Sequence, residues 1–257
     1  MANDVPMTSI DLVMALAGDD VEERDPDEVA RAIGARLSEF RLRYKFALDE
    51  VLTKIDILAE EAEARGTRGP IEHVKHRVKS FDSILHKMNR LGCGPDLDVV
   101  AREIRDIAGV RVTCPYIEDT FRLAEMLMGQ PDLTVLETKD YISHPKPNGY
   151  RSLHLIVTVP VFLAEETLEV PVEIQIRTIA MDFWASVEHQ IRYKYHDEVP
   201  DDVGETLRES AVTAWELDRQ MSGLRQTVRA KESRPRAVAV SPAADVVSEP
   251  AAPGDAA

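Results

Sequence analysis

Cysteine, positive charge and long hydrophobic runs are all scarce in this chain, and each shortage excludes something. Of 257 residues two are cysteine, Cys93 in Gly-Cys-Gly-Pro and Cys114 near the end of a strand-like run. Two cysteines at that separation have no metal-ligand spacing and make no disulfide framework, so both read as free thiols. Lys and Arg number 31 against 46 Asp and Glu, a formal net charge of −15. A general binder of duplex DNA needs a basic footprint to neutralise phosphates, and this balance argues against one. No run reaches transmembrane length, and the apolar patch from Ile10 to Ala17 has no basic leader before it. The expectation is a cytoplasmic protein without a membrane partner.

What is present is enough apolar material, 44% of residues, to bury a sizeable core in one domain with helical extensions. The acids gather in the N-terminal third and between Asp197 and Asp218, whereas the central motifs are basic. A basic pocket in an acidic protein suits a small anionic ligand.

After Asp25 as a cap and Pro26, apolar residues recur at Val29, Ile33, Leu37, Phe40, Tyr44, Leu48, Val51, Ile55 and Leu58, helical spacing up to Gly66. Val74 to Lys79 reads as a strand with Lys75, Arg77 and Lys79 on one face, and Ser80 then caps a helix with Ser83 and Lys87 one turn apart. Such a junction is a workable phosphate cradle. Asp98 to Ile104 reads as helix, Ala108 to Thr113 as a buried strand entered from Asp106, and Ile117 to Met128 as an amphipathic helix. Strands follow at Thr134 to Ile142, Leu153 to Val161 and Val170 to Arg177. A helix from Ile179 to Tyr195 is expected to bury Met181, Phe183, Trp184, Val187, Ile191 and Tyr195, and a last one spans Val203 to Arg229. Residues 1–24 read as an acidic extension, 25–229 as the domain with its flanking helices, and 230–257 as a disordered tail.

The stretch from Lys139 to Thr178 carries the chemistry. Pro145, Pro147 and Asn148-Gly149 force an ordered turn, around which Lys139, Lys146, Asn148, Tyr150, Arg151 and His154 crowd. In Val172-Glu173-Ile174-Gln175-Ile176-Arg177, strict alternation sends the aliphatic residues to one face and an acid, an amide and a guanidinium to the other. A polar strand face beside a cationic loop with an aromatic ring suits a nucleoside triphosphate. His73 and His76, three apart on a strand, point to opposite faces and are poor co-ligands. His196-Asp197 lacks the upstream partners of a metal-dependent phosphohydrolase.

The order of these motifs resembles the synthetase domain of the RelA/SpoT family. The matching pieces are Arg77-Val78-Lys79 with Ser83 and Lys87; Asp106-Ile107-Ala108-Gly109-Val110-Arg111; Lys139-Asp140-Tyr141-Ile142; Pro145 through His154; and Glu173-Ile174-Gln175-Ile176-Arg177-Thr178. Met181 through His189 is most similar to the small stand-alone members, the small alarmone synthetases. Arg192, before Tyr193-Lys194-Tyr195, departs from the Asn that small members commonly carry.

The resemblance implies an α+β fold, a mixed five-stranded sheet flanked by helices and similar to the nucleotidyltransferase core, with extra helices at both ends. It implies transfer of pyrophosphate from ATP to the 3′-hydroxyl of GTP or GDP. ATP then falls to Arg77, Lys79, Ser83, Lys87 and Arg111; Mg²⁺ to Asp106 and Glu173, with Glu173 activating the hydroxyl. Lys139, Lys146, Asn148, Tyr150, His154, Gln175 and Arg177 fall to the acceptor, Tyr150 stacking on guanine through its ring alone. The family also points to a homotetramer. Two alternatives stay open: a toxin-like relative that pyrophosphorylates adenine nucleotides or tRNA, and a silent paralogue that binds nucleotide or RNA.

Overall fold

The structure, a computed structural model, describes residues 7–8, 25–65, 69–94, 96–195 and 198–232. The N-terminal extension beyond Met7 and Thr8, the His196-Asp197 pair and the tail from residue 233 lie outside the described residues. The chain divides into a unit ending at Ser222 and another beginning at Gly223, whose described part is the end of the last helix.

Helix α1, Pro26–Ala64, starts where the Asp25 side chain accepts from the Asp27 N–H and Pro26 presets the first turn. Of the periodic set read from the sequence, Ile33, Phe40, Tyr44, Leu48, Val51, Ile55 and Leu58 are buried, and Val29 and Leu37 pack partly buried against the same core. Strand β1, His73–Val78, leads into α2, Phe81–Leu91, capped by Ser80. Helix α3, Leu97–Glu103, precedes β2, Ala108–Cys114, and α4, Ile117–Met128, follows it. Then come β3, Thr134–Asp140, β4, Leu153–Phe162, and β5, Thr167–Thr178. Helix α5, Ile179–Lys194, and helix α6, Asp201–Glu232, close the order.

The five strands form one sheet in the order β1-β2-β5-β4-β3. Only β2 and β5 run parallel; the other neighbours are antiparallel. The mixed α+β sheet expected from the resemblance is therefore present. Helix α1 lies on the face bearing Val110, Val112, Val172, Ile174 and Ile176, all buried in one core cluster. Alternation leaves Gly109, Arg111, Glu173, Gln175 and Arg177 on the opposite face.

Some boundaries differ from the sequence reading. Strand β3 stops at Asp140, whose carboxylate accepts the N–H groups of Ile142 and Ser143 and turns the chain there. Strand β5 begins at Thr167, and α6 runs on to Glu232. In α5 the buried residues are Met181, Asp182, Trp184, Ala185 and Glu188. Phe183 falls outside this set and is 71% exposed, Tyr195 is 38% exposed, and Val187 and Ile191 are half-buried, so the expected burial of these four is corrected.

Candidate active site

Register builds the site. Lys75 of β1 pairs with Arg111 of β2, Arg111 with Gln175 of β5, Gln175 with His154 of β4, and His154 with Lys139 of β3. One row across the whole sheet thus carries five polar side chains. The adjacent row runs Arg77, Gly109, Glu173. No atom lies within 4 Å of where a Gly109 Cβ would stand, so its missing side chain leaves open the space between Arg77 and Glu173. A cleft of about 240 Å³ results, lined by Lys75, Arg77, Asp106, Arg111, Glu173 and Gln175 among others.

At one edge, Asp106 sits two residues before β2 and takes Lys79 Nζ on Oδ2 at 2.5 Å and Lys87 Nζ on Oδ1 at 2.7 Å. Burial works against the Asp106 charge, but the two ammonium groups outweigh it and hold its pKa below the usual carboxylate range. Burial also lowers the pKa of Lys79, with the Asp106 partner opposing. Ser83 stands at the α2 N-terminus, its hydroxyl 2.8 Å from that of Ser80 and its N–H donated to the same oxygen.

In the centre, Glu173 is gripped by both oxygens. His154 Nδ1 lies 3.0 Å from Oε1, and Gln175 Nε2 donates to Oε2 at 2.9 Å. Burial raises its pKa, but these bonds prevail and the net displacement is downward. His154, 7% exposed, places its other nitrogen 2.8 Å from the Tyr150 hydroxyl. Arg177, 4% exposed, donates from Nη2 to that hydroxyl at 2.7 Å and to Gln175 Oε1 at 2.8 Å.

At the other edge the rings of Tyr141, Tyr150 and His154 meet edge to face with centroids 5.3 to 6.0 Å apart. Lys146 Nζ lies 4.7 Å from the Tyr141 centroid and 4.9 Å from that of Tyr150. The turn beneath is fixed by Gly149, whose φ of 91° favours glycine and where a Cβ would come 2.5 Å from that of Ala211. Asn148 Oδ1 accepts the Tyr150 N–H, and its amide donates to Glu188 at 3.0 Å. Glu188 also accepts from Arg192 at 2.5 Å. Lys139 is partly exposed, 3.2 Å from Glu137.

The structure therefore brings Arg77, Lys79, Lys87, Asp106, Arg111, Glu173 and Gln175 together around or beside one cleft. Tyr150, His154 and Arg177 join it through hydrogen bonds, and Lys146 through the rings. Sequence reasoning did not single out Asp182, which collects Arg111 and Arg177 on Oδ1 at 3.2 Å each and faces Lys75 at 3.8 Å. A carboxylate in the first turn of a helix that follows a strand whose polar face ends at Arg177 was the available signal. Tyr141 and Glu188 were seen only as parts of matching motifs.

Residues 76–198 match the family described as a region found in RelA/SpoT proteins. The chain is 48% identical over 187 residues to GTP pyrophosphokinase YwaC of Bacillus subtilis, covering 73% of this chain and 89% of the relative. The crystal structure of small alarmone synthetase 2 from Bacillus subtilis superposes with a TM-score of 0.68 at 47% identity, covering 74% of this chain and 97% of that one. Small alarmone synthetase 1 from the same organism, solved bound to its product pppGpp, gives a TM-score of 0.71 at 37% identity over 76% of this chain and 98% of its own. With this identity, this coverage and the shared five-stranded fold, the chain belongs to the RelA/SpoT family, in its branch of small alarmone synthetases.

Proposed function

We propose that the protein is a GTP pyrophosphokinase, transferring the pyrophosphoryl group of ATP to the 3′-hydroxyl of GTP or GDP. The 3′-oxygen forms a bond to the β-phosphorus, the bond from that phosphorus to the oxygen of the α-phosphate breaks, and AMP leaves. The hydroxyl proton passes towards Glu173. One observation carries this: two carboxylates, Asp106 and Glu173, face a cleft walled by Arg77 and Arg111, directly beside a ring-bearing cationic loop. Relatives named for this activity, one of them solved with pppGpp, support the reading.

Arg77, Lys79, Lys87 and Arg111, with Ser83 at the helix start, are assigned to the ATP phosphates. Lys79 and Lys87 now neutralise Asp106, so they sit at the cleft edge already desolvated and within reach of an incoming triphosphate. Tyr150 stacks on guanine, with Lys139, Lys146, Asn148, His154, Gln175 and Arg177 completing the acceptor side.

Asp106 and Glu173 fit Mg²⁺ as a pair of hard oxygen donors on one cleft, each kept ionised by its neighbours. Among the described residues no group of three or more His, Cys, Asp or Glu could hold a metal, so water and phosphate oxygens would have to complete the shell around these two carboxylates. Bound there, it would offset charge on the transferring phosphates. A cytoplasmic enzyme is the reading that ATP and GTP as substrates support. No helix among the described residues is long and apolar enough to cross a membrane. We also propose a homotetramer, on the strength of exposed apolar side chains on α5 and α6.

The test is incubation of the purified protein with β-labelled ATP and each acceptor in turn. AMP together with a guanine nucleotide labelled at its 3′ position is expected. Transfer only to adenine nucleotides or to tRNA would move the assignment to the toxin-like reading, and no transfer to any acceptor would leave a silent nucleotide binder.

A further inference from the structure

We propose that the Tyr150 hydroxyl is a positioning group for Glu173, so that one side chain both stacks on the acceptor base and sets the carboxylate that meets the acceptor's 3′-hydroxyl. This rests on the pyrophosphokinase reading of the site. Five side chains close a ring of hydrogen bonds: Arg177 donates to Tyr150, Tyr150 to His154 and His154 to Glu173 along one arm, and Arg177 donates to Gln175 and Gln175 to Glu173 along the other.

The direction of the bonds follows from what each group can do. A guanidinium only donates, so the Tyr150 oxygen accepts from Arg177. An ionised carboxylate only accepts, so a neutral His154 must present Nδ1–H to Glu173 and leave Nε2 bare. The Tyr150 proton then has its acceptor in Nε2. Glu173 is held on one oxygen through Tyr150 and His154 and on the other through Gln175, and both arms start from the Arg177 guanidinium. A carboxylate fixed at both oxygens cannot rotate, yet each oxygen keeps a second lone pair for the cleft. Asp182 anchors the origin of both arms by accepting from Arg177 Nη1 at 3.2 Å. Arg177 and His154 are buried, so water competes poorly for these bonds.

The test is Tyr150→Phe, which keeps the ring and opens one arm. Acceptor KM is expected to stay within about two-fold to three-fold of the parent because stacking persists, while kcat falls about ten-fold, the scale of one lost hydrogen bond in a buried network. Parental kcat, or a raised acceptor KM at unchanged kcat, would overturn the proposal and make the hydroxyl a plain substrate contact. An NMR measurement of the His154 ring nitrogens gives a readout independent of turnover. The parent should carry its proton on Nδ1, and the Phe variant should gain the Nε2–H form; an Nε2–H tautomer in the parent would also overturn the proposal. Failure of the function reading looks different, since the parent itself would then transfer no pyrophosphate to GTP or GDP.

Discussion

At the scale of single residues, the two carboxylates do different work although each is held by two neighbours. Asp106 balances the charges of Lys79 and Lys87, whereas Glu173 is oriented by the neutral amide of Gln175 and the ring of His154. Asp106→Asn and Glu173→Gln keep volume and remove charge, so each is expected to lower kcat by at least about 100-fold, more than about 2.7 kcal/mol of transition-state stabilisation. Far-UV circular dichroism should match the parent; comparable kcat at saturating Mg²⁺ would remove that residue from catalysis. Tyr150→Ala loses the ring as well as the hydroxyl. A stacked base is worth about 1–3 kcal/mol, so the KM for GTP or GDP should rise roughly ten-fold to a hundred-fold while the KM for ATP moves little. An ATP-side effect with acceptor KM unchanged would exchange the donor and acceptor assignments.

At the scale of elements, the helix–strand junctions hold the site loop, and one of them contains a buried acid. Thr178 ends β5 and caps α5; its hydroxyl donates to Asp218 of α6 at 2.6 Å. Arg151, next to Tyr150, lies with its guanidinium 4.0 Å over the Trp215 ring of the same helix. Burial pushes the Asp218 carboxyl up to about 6, against the Thr178 hydrogen bond and the Arg151 charge. A folded-state value above the unfolded 3.8 means that the folded protein binds this proton more tightly. The associated stability is complete below about pH 4 and is lost as pH rises through about 6. Asp218→Asn cannot ionise and still accepts from Thr178. It should therefore be more stable than the parent near pH 7.5, by at most about 3 kcal/mol at about 1.4 kcal/mol per pH unit, with the gap closing towards pH 4. Urea unfolding of both proteins between pH 4 and 8 measures this, and a gap that is constant with pH would show that Asp218 does not titrate there.

The elements themselves were largely legible. The alternation of Val172 to Arg177 placed both faces of β5 correctly, and α4 was read to the residue, because local periodicity fixes which side meets the core. The N-cap roles of Asp25 and Ser80 were legible for the same local reason. Asp182 and Glu188 were not, since their importance comes from partners delivered by other elements: Arg111 from β2, and Asn148 from the loop before β4. The Tyr150 hydroxyl was passed over because a ring after Asn-Gly suggests stacking and says nothing of a histidine and an arginine converging on its oxygen. Phe183 was read as core because large apolar side chains usually are, and in this chain it is exposed.

For the whole molecule, net charge and site charge have opposite signs, and so do the expected salt effects. The chain carries −15, yet Lys75, Arg77, Arg111 and Arg177 share one sheet face. Contacts made at a few ångströms inside the cleft are weakly screened, whereas repulsion from the distant acidic surface fades beyond a Debye length of about 8–10 Å at physiological salt. The cationic site can therefore bind nucleotide without giving the molecule a general affinity for nucleic acid. Assembly is the remaining property at this scale. Phe183 at 71% exposure, Ile179 at 51%, Leu217 at 48% and Met221 at 44% border an apolar groove of about 800 Å³ on α5 and α6. A stable interface buries about 1,200–2,000 Å² and concentrates such side chains at its centre, and exposed aromatics are its usual anchors. Because Phe183 is exposed in the single chain, Phe183→Asp should leave the monomer fold untouched while placing an uncompensated charge in the middle of the proposed subunit contact. Light scattering across micromolar concentrations should give the mass of four chains for the parent and a smaller species for the variant, at unchanged circular dichroism. A tetrameric variant would move the interface off this groove, and a parent with the mass of one chain would reject the homotetramer.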